Sequence, residues 1–380
     1  MKNISRYKVE YNILIPLFFL FIISIMSIYS ANQMLPSSVG NLALKQTIWY
    51  LFGFAIAYFI MVIKNDFFIK YCWILYGIGI ISLILLFPFG TIINGAKSWY
   101  SFFNLFTIQP SEFMKIILII TIAKIINDFN IKYHKPTIKQ EIYLFIKVGI
   151  ITFIPVLLTF LQPDTGIVVI YIVIMFVMLL ISGIRWQVFA VFFGILIILI
   201  SIFFGIYYWN SDLFIDLFGT NFFYRIDRLL AWQKGSGMQL NNAIVALGSA
   251  GLFGFGFGHT PIYFPEPQTD FIFSVYASNT GLIGTLFLIM LIIFFNLKLI
   301  NIANRTTNKI SKYITAGILG MLLYQQIQSI GMNIGLLPIT GITFPFISYG
   351  GSSLLSYMIM VGIIFNLSNE SLRFTNVNKK

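Results

Sequence analysis

GIVVIYIVIMFVMLLISGIRWQVFAVFFGILIILISIFFGIYYW, residues 166–209, carries a single charge, Arg185, between two apolar runs. Each run, 166–183 and 187–208, is close to the roughly 20 residues that cross bilayer hydrocarbon as a helix. Windows of the same kind recur at 11–31, 46–63, 69–89, 111–127, 142–161, 278–299, 313–334 and 347–367. The pattern predicts an all-α polytopic membrane protein with about ten transmembrane helices. Composition agrees: of 380 residues 58% are hydrophobic and 9% charged, against about 25% charged in a soluble domain. The first window is longer than the h-region of a signal peptide, and no small-x-small cleavage site follows Ser30. No repeat or low-complexity linker divides residues 1–380, which read as one domain.

An even number of spans places both ends on one side, and positive charge says which. With the N-terminus inside, seventeen of the 24 Lys and Arg residues fall on the inner side. Lys45, Lys97, Lys115, Arg225, Arg228 and Lys234 fall outside, and Lys147 is placed to snorkel inward. The net charge of +12 thus reports loop orientation and anionic lipid, not nucleic acid. The expected topology is N-in and C-in, with one long extracellular loop, 209–277, between the seventh and eighth spans. One cysteine, Cys72, excludes an internal disulfide, and two histidines, His134 and His259, leave little for zinc.

Unusual sequence gathers on the outer side: 90–113, 209–277 and 334–353. Irregular backbone at membrane depth needs protein burial or a wet cavity, so function is expected there. The acids follow, with Glu112, Asp164, Asp212, Asp216, Asp227, Glu266 and Asp270 outside. Inside stand Glu10, Asp66, Asp128, Glu141 and Glu370, one to a loop or tail, with no cluster to hold a metal on a cytosolic sugar nucleotide. A transferase of this composition would draw on a lipid-linked donor at the outer face.

Particular residues admit two readings each. Glu112 and Lys115 share a helix face, as a structural ion pair or as a cavity lining that offers a cation to an anionic substrate. Asp164 is placed to cap the helix after it. Arg225 and Arg228 anchor an interfacial helix or clamp a pyrophosphate. The glycines of GSAGLFGFGFGH, 248–259, follow no strand, so they mark a flexible or re-entrant loop rather than a dinucleotide site. Gln325, Gln328, Ser329 and Asn333 share a face, for bonds between helices or for a polar cavity wall. Asp270 caps a short helix, or, desolvated beside Phe271 and Phe273, acts as a general base.

Together GAKSWY (95–100), QPSEFMK (109–115), QPDTG (162–166), YRIDR (224–228), GSAGLFGFG (248–256), PEPQTDFIFSV (265–275) and NIGLLPITGITFPFISYGGSS (333–353) resemble the SEDS family (shape, elongation, division and sporulation), of the RodA and FtsW type. The resemblance covers nearly the whole chain. It implies a peptidoglycan glycosyltransferase polymerising lipid II at the outer face of the bacterial plasma membrane and releasing undecaprenyl pyrophosphate. It also implies a class B penicillin-binding protein as partner. The family's essential aspartate falls on Asp270, and its conserved Glu and Lys on Glu112 and Lys115. The short N-terminal tail is nearer the elongation branch. The chain departs from the family at Gln268, where His is usual, at Ser278 and Asn279, where two Glu are common, and at Ser98, where Arg is common.

Such a transfer needs one base, here Asp270, and cations for the departing pyrophosphate. Candidates are Lys97, Lys115, Arg225 and Arg228, with Glu112 beside them and a divalent cation, magnesium or manganese, as an optional helper. One base without a covalent partner predicts inversion, by analogy with single-displacement glycosidases. Two alternatives stay open: a lipid II flippase, and a catalytically weak scaffold for the penicillin-binding protein.

Overall fold

The computed structural model describes residues 10–93, 95–102, 106–220, 223 and 237–377. Its helices are α1 (Tyr11–Gln33), α2 (Leu42–Ile63), α3 (Asn65–Lys70), α4 (Cys72–Phe89), α5 (Pro110–Lys132), α6 (Ile138–Leu161), α7 (Thr165–Ile181), α8 (Trp186–Trp209), α9 (Ser211–Phe218), α10 (Met238–Gly248), α11 (Ile272–Arg305), α12 (Lys309–Asn333) and α13 (Gly351–Val377). Each of the ten apolar windows lies mostly on one of them, although 69–89 begins in α3 and 347–367 begins before α13.

Among the described residues, seven helical stretches are long and apolar enough to cross a membrane: those of α1, α2, α4, α6, α8, α11 and α13. Apolar α7 is shorter. α5 and α12 are long enough but too polar, because α5 carries Glu112, Lys115, Lys124, Asp128 and Lys132 and α12 carries Gln325, Gln326, Gln328 and Asn333. These two helices are buried along most of their length. α8 is the reverse, since Ile195, Ile198 and Ile202 stand more than half exposed. A chain that exposes apolar stripes and buries its polar helices is solvated by lipid. The protein is therefore a multi-pass membrane protein.

The all-α expectation needs one correction. β1 (Thr91–Ile93), β2 (Ala96–Phe102) and β3 (Phe106–Ile108) form an antiparallel sheet in that order. Thr91 pairs with Trp99 and Tyr100 with Ile108. Aromatic and β-branched residues favour extended pairing, and the helices stop at Gly90 and restart with Pro110 at the first helical position.

The glycine-rich loop, expected to be flexible or re-entrant, is pinned. α11 is broken at Gly281, whose φ is 67°. The loop repairs the break with its own backbone. Phe255 and Gly256 donate to the carbonyls of Ser278 and Asn279, while Leu282 and Ile283 donate to those of Gly251 and Leu252. A Cβ on Gly254 would lie 2.4 Å from the Asn279 backbone, so only glycine fits this approach. Backbone groups freed by the break thus stay paired at membrane depth.

Candidate active site

The segment before α11 is built to present one side chain. Glu266 turns the chain with φ at 54°, and its carbonyl accepts from the amides of Thr269 and Phe271. Its Oε2 accepts from Gln268 Nε2 and Thr269 Oγ1 at 3.0 and 2.9 Å. Three outside groups then fix the main chain. Tyr349 N donates to Gln268 O, Ser348 Oγ to Thr269 O, and Asn333 Nδ2 to Asp270 O. Asn333 Oδ1 in turn accepts from the amide and hydroxyl of Ser274. The backbone around Asp270 is tied on both sides, which leaves its carboxylate for other work.

That carboxylate does not cap a helix. α11 takes Phe271 as its N-cap, without a side-chain bond. No basic side chain among the described residues reaches Asp270 as an ion pair. Gly341, at φ +68°, leaves open the space beside Oδ2, since a Cβ there would stand 3.9 Å from it. Burial pushes the Asp270 carboxyl up to about 7, with a further push from the charge of Glu266, and the Thr269 hydroxyl works the other way.

Asp270 lines a cavity of about 1040 Å³ together with Lys45, Trp49, Trp99, Gln109, Glu112, Asp164, Glu266, Gln268, Gln325 and Thr340, among others. Glu112 holds the Lys115 ammonium at 2.6 Å, and both are buried. The ammonium lies behind the wall, 5.2 Å from the centre of the Tyr357 ring, and donates no well-directed hydrogen bond. Tyr357 joins the same polar patch through Gln325 Nε2 at 2.9 Å and Thr343 Oγ1 at 3.1 Å. Asp164 caps α7, accepting from Ile167 N at 3.4 Å, and takes a 2.6 Å bond from Gln109 Nε2. Burial raises its carboxyl to about 6; the Ile167 amide opposes this and nearby Glu112 adds to it.

The remaining sequence-predicted residues divide. Lys97 does not line the cavity; its ammonium donates to the Phe87 carbonyl. Ser98 is buried and donates to the Gln162 carbonyl. Arg225 and Arg228 lie outside the described residues. On α12, Gln325, Gln328 and Asn333 bind other elements, and Gln325 also reaches the cavity. Among the described residues no three His, Cys, Asp or Glu side chains converge to hold a metal ion.

Sequence reasoning missed two residues that frame the site, Gln46 and Ser348. Gln46 Nε2 donates to Ser348 O at 3.1 Å, and Ser348 Oγ donates to Thr269 O at 2.7 Å. A lone amide in an otherwise apolar window was the available signal for Gln46.

Comparison with known proteins places the chain. Residues 9–373 match the family of the FtsW, RodA and SpoVE type, described as "Cell cycle protein". The chain is 33% identical over 316 residues to the "Probable peptidoglycan glycosyltransferase FtsW" of Bacillus subtilis, covering 80% of this chain and 74% of that one. It is 32% identical over 309 residues to "Stage V sporulation protein E" of the same organism, covering 77% and 76%. The fold is similar to a chain of a structure described as "Structural coordination of polymerization and crosslinking by a peptidoglycan synthase complex", with TM-score 0.75, 23% identity, and 93% and 97% covered. It is also similar to the crystal structure of the Thermus thermophilus rod shape determining protein RodA, with TM-score 0.67, 22% identity, and 96% and 98% covered. A match running from before α1 into α13, together with these identities, means that the chain belongs to the FtsW, RodA and SpoVE family of cell cycle proteins.

Proposed function

We propose that this protein is a peptidoglycan glycosyltransferase that polymerises lipid II at the outer face of the plasma membrane and releases undecaprenyl pyrophosphate. Relatives named as peptidoglycan glycosyltransferases support the activity. One observation carries the mechanism: a carboxylate facing a membrane-protein cavity, with no cation among the described residues and no helix amide to hold its charge. Asp270 takes the proton from the attacking sugar hydroxyl, because a carboxyl poised near 7 is both ionised enough and basic enough at neutral pH. Acceptor attack and loss of the diphosphate are one displacement, so the anomeric centre inverts. No three His, Cys, Asp or Glu side chains among the described residues converge on one point; a divalent cation on the diphosphate would need only one or two of the cavity carboxylates.

The topology we favour has ten spans, with both ends inside and the cavity open to the outer face. The excess of Lys and Arg in the inner loops supports it. A class B penicillin-binding protein is the partner we propose, on the likeness to a chain of a peptidoglycan synthase complex. The test is to supply purified protein, alone and with such a partner, with fluorescent lipid II. Glycan ladders are the expected product. Flipping of lipid II across liposomes with no polymer in either condition would contradict the proposal.

A further inference from the structure

The departing diphosphate needs a cation, and the described residues offer few. Four carboxylates face the cavity: Glu112, Asp164, Glu266 and Asp270. A diphosphate entering among them is repelled unless a cation meets it. Lys115 is spent on Glu112, and Lys97 is turned to the Phe87 carbonyl. Among the described residues Lys45 is the only basic side chain on the cavity wall, and it is exposed and in no ion pair.

Its place relative to Asp270 is fixed by a shared clamp. Gln46, next to Lys45, donates from Nε2 to the Ser348 carbonyl and accepts the Gly350 amide on Oε1. Ser348 also donates from its hydroxyl to the carbonyl of Thr269, next to Asp270. One residue therefore holds the neighbour of the cation and the neighbour of the base. The apolar side chains of Ile48 and Phe52 follow Lys45 along the same face of α2 and line the same cavity. A charged headgroup with an apolar tail suits that order.

We infer that Lys45 binds the diphosphate of the polyprenyl-linked substrate and stays with it as the glycosyl bond breaks. This rests on the proposed glycosyltransferase reading. The ammonium stabilises charge that grows on the leaving oxygen, and an arginine can replace it because a guanidinium fork also suits a diphosphate.

The test is binding of undecaprenyl diphosphate to the purified full chain, beside lipid II polymerisation. Lys45→Met is expected to weaken binding at least tenfold, while Lys45→Arg stays within a few-fold of wild type. Melting temperatures of both variants should match wild type, since the side chain is exposed. Inorganic pyrophosphate should compete poorly. Unchanged binding by Lys45→Met, or equal competition by inorganic pyrophosphate, would overturn the inference. If wild type polymerises lipid II and binds without needing Lys45, this inference alone fails. If binding needs Lys45 but wild type makes no polymer, the functional reading alone fails.

Discussion

Glu112 and Asp270 face one cavity from different elements, and among the described residues only Glu112 has a cation. Its carboxylate touches Lys115, and α5 buries the pair. Asp270 has no ion-pair partner among the described residues, and its main chain, not its carboxylate, takes the stabilising bonds. A buried pair satisfies its own charges and costs much to break. An unpaired, desolvated acid gains by taking a proton. The first arrangement builds a wall, and the second makes a base.

The two sides should fail differently. Asp270→Asn should lower lipid II polymerisation by about 10²- to 10⁴-fold, the usual worth of a general base, as read from gel ladders, while the protein stays folded. Lys115→Met should strand the Glu112 charge and cost about 3–5 kcal/mol of stability, measured by denaturant unfolding in detergent. The double variant Glu112→Gln with Lys115→Met should regain most of that loss. Equal losses in single and double variants would break the contrast.

A smaller effect concerns the proton on Asp270. Its carboxyl is raised in the fold, so the native state holds a proton that the unfolded chain has released between about pH 4 and 7. That contribution is present at the low end of the window and lost as pH rises through about 7. Asp270→Asn should therefore raise the melting temperature most at pH 8, by less at pH 5, and leave it nearly unchanged below about pH 4. A gain at pH 5 alone would reverse the sign and reject the assignment.

How much of this could be read from sequence depended on what each residue answers to. α8 was plain because lipid demands apolarity on a span that little else covers. α5 was found by its apolar run, although Glu112 and Lys115 made it too polar for a lipid-facing span; interior helices answer to neighbours instead. The sheet of β1 to β3 went unread because strands of three, seven and three residues are too short for a period to show. The docked glycine loop was half legible: glycines signalled a special backbone, but not the broken helix it would repair. Residues alone left Asp270 open between cap and base, and only the resemblance singled it out. The Gln46–Ser348 contact joins positions 302 residues apart, and no local period encodes such a pairing.

The most direct measurement is the single-turnover rate of lipid II polymerisation as a function of pH. With Asp270 as the base, the rate should fall about tenfold per unit below a midpoint near 7 and reach the floor set by Asp270→Asn. A rate that stays level from pH 5 to 8, or a variant as fast as wild type, would contradict the account.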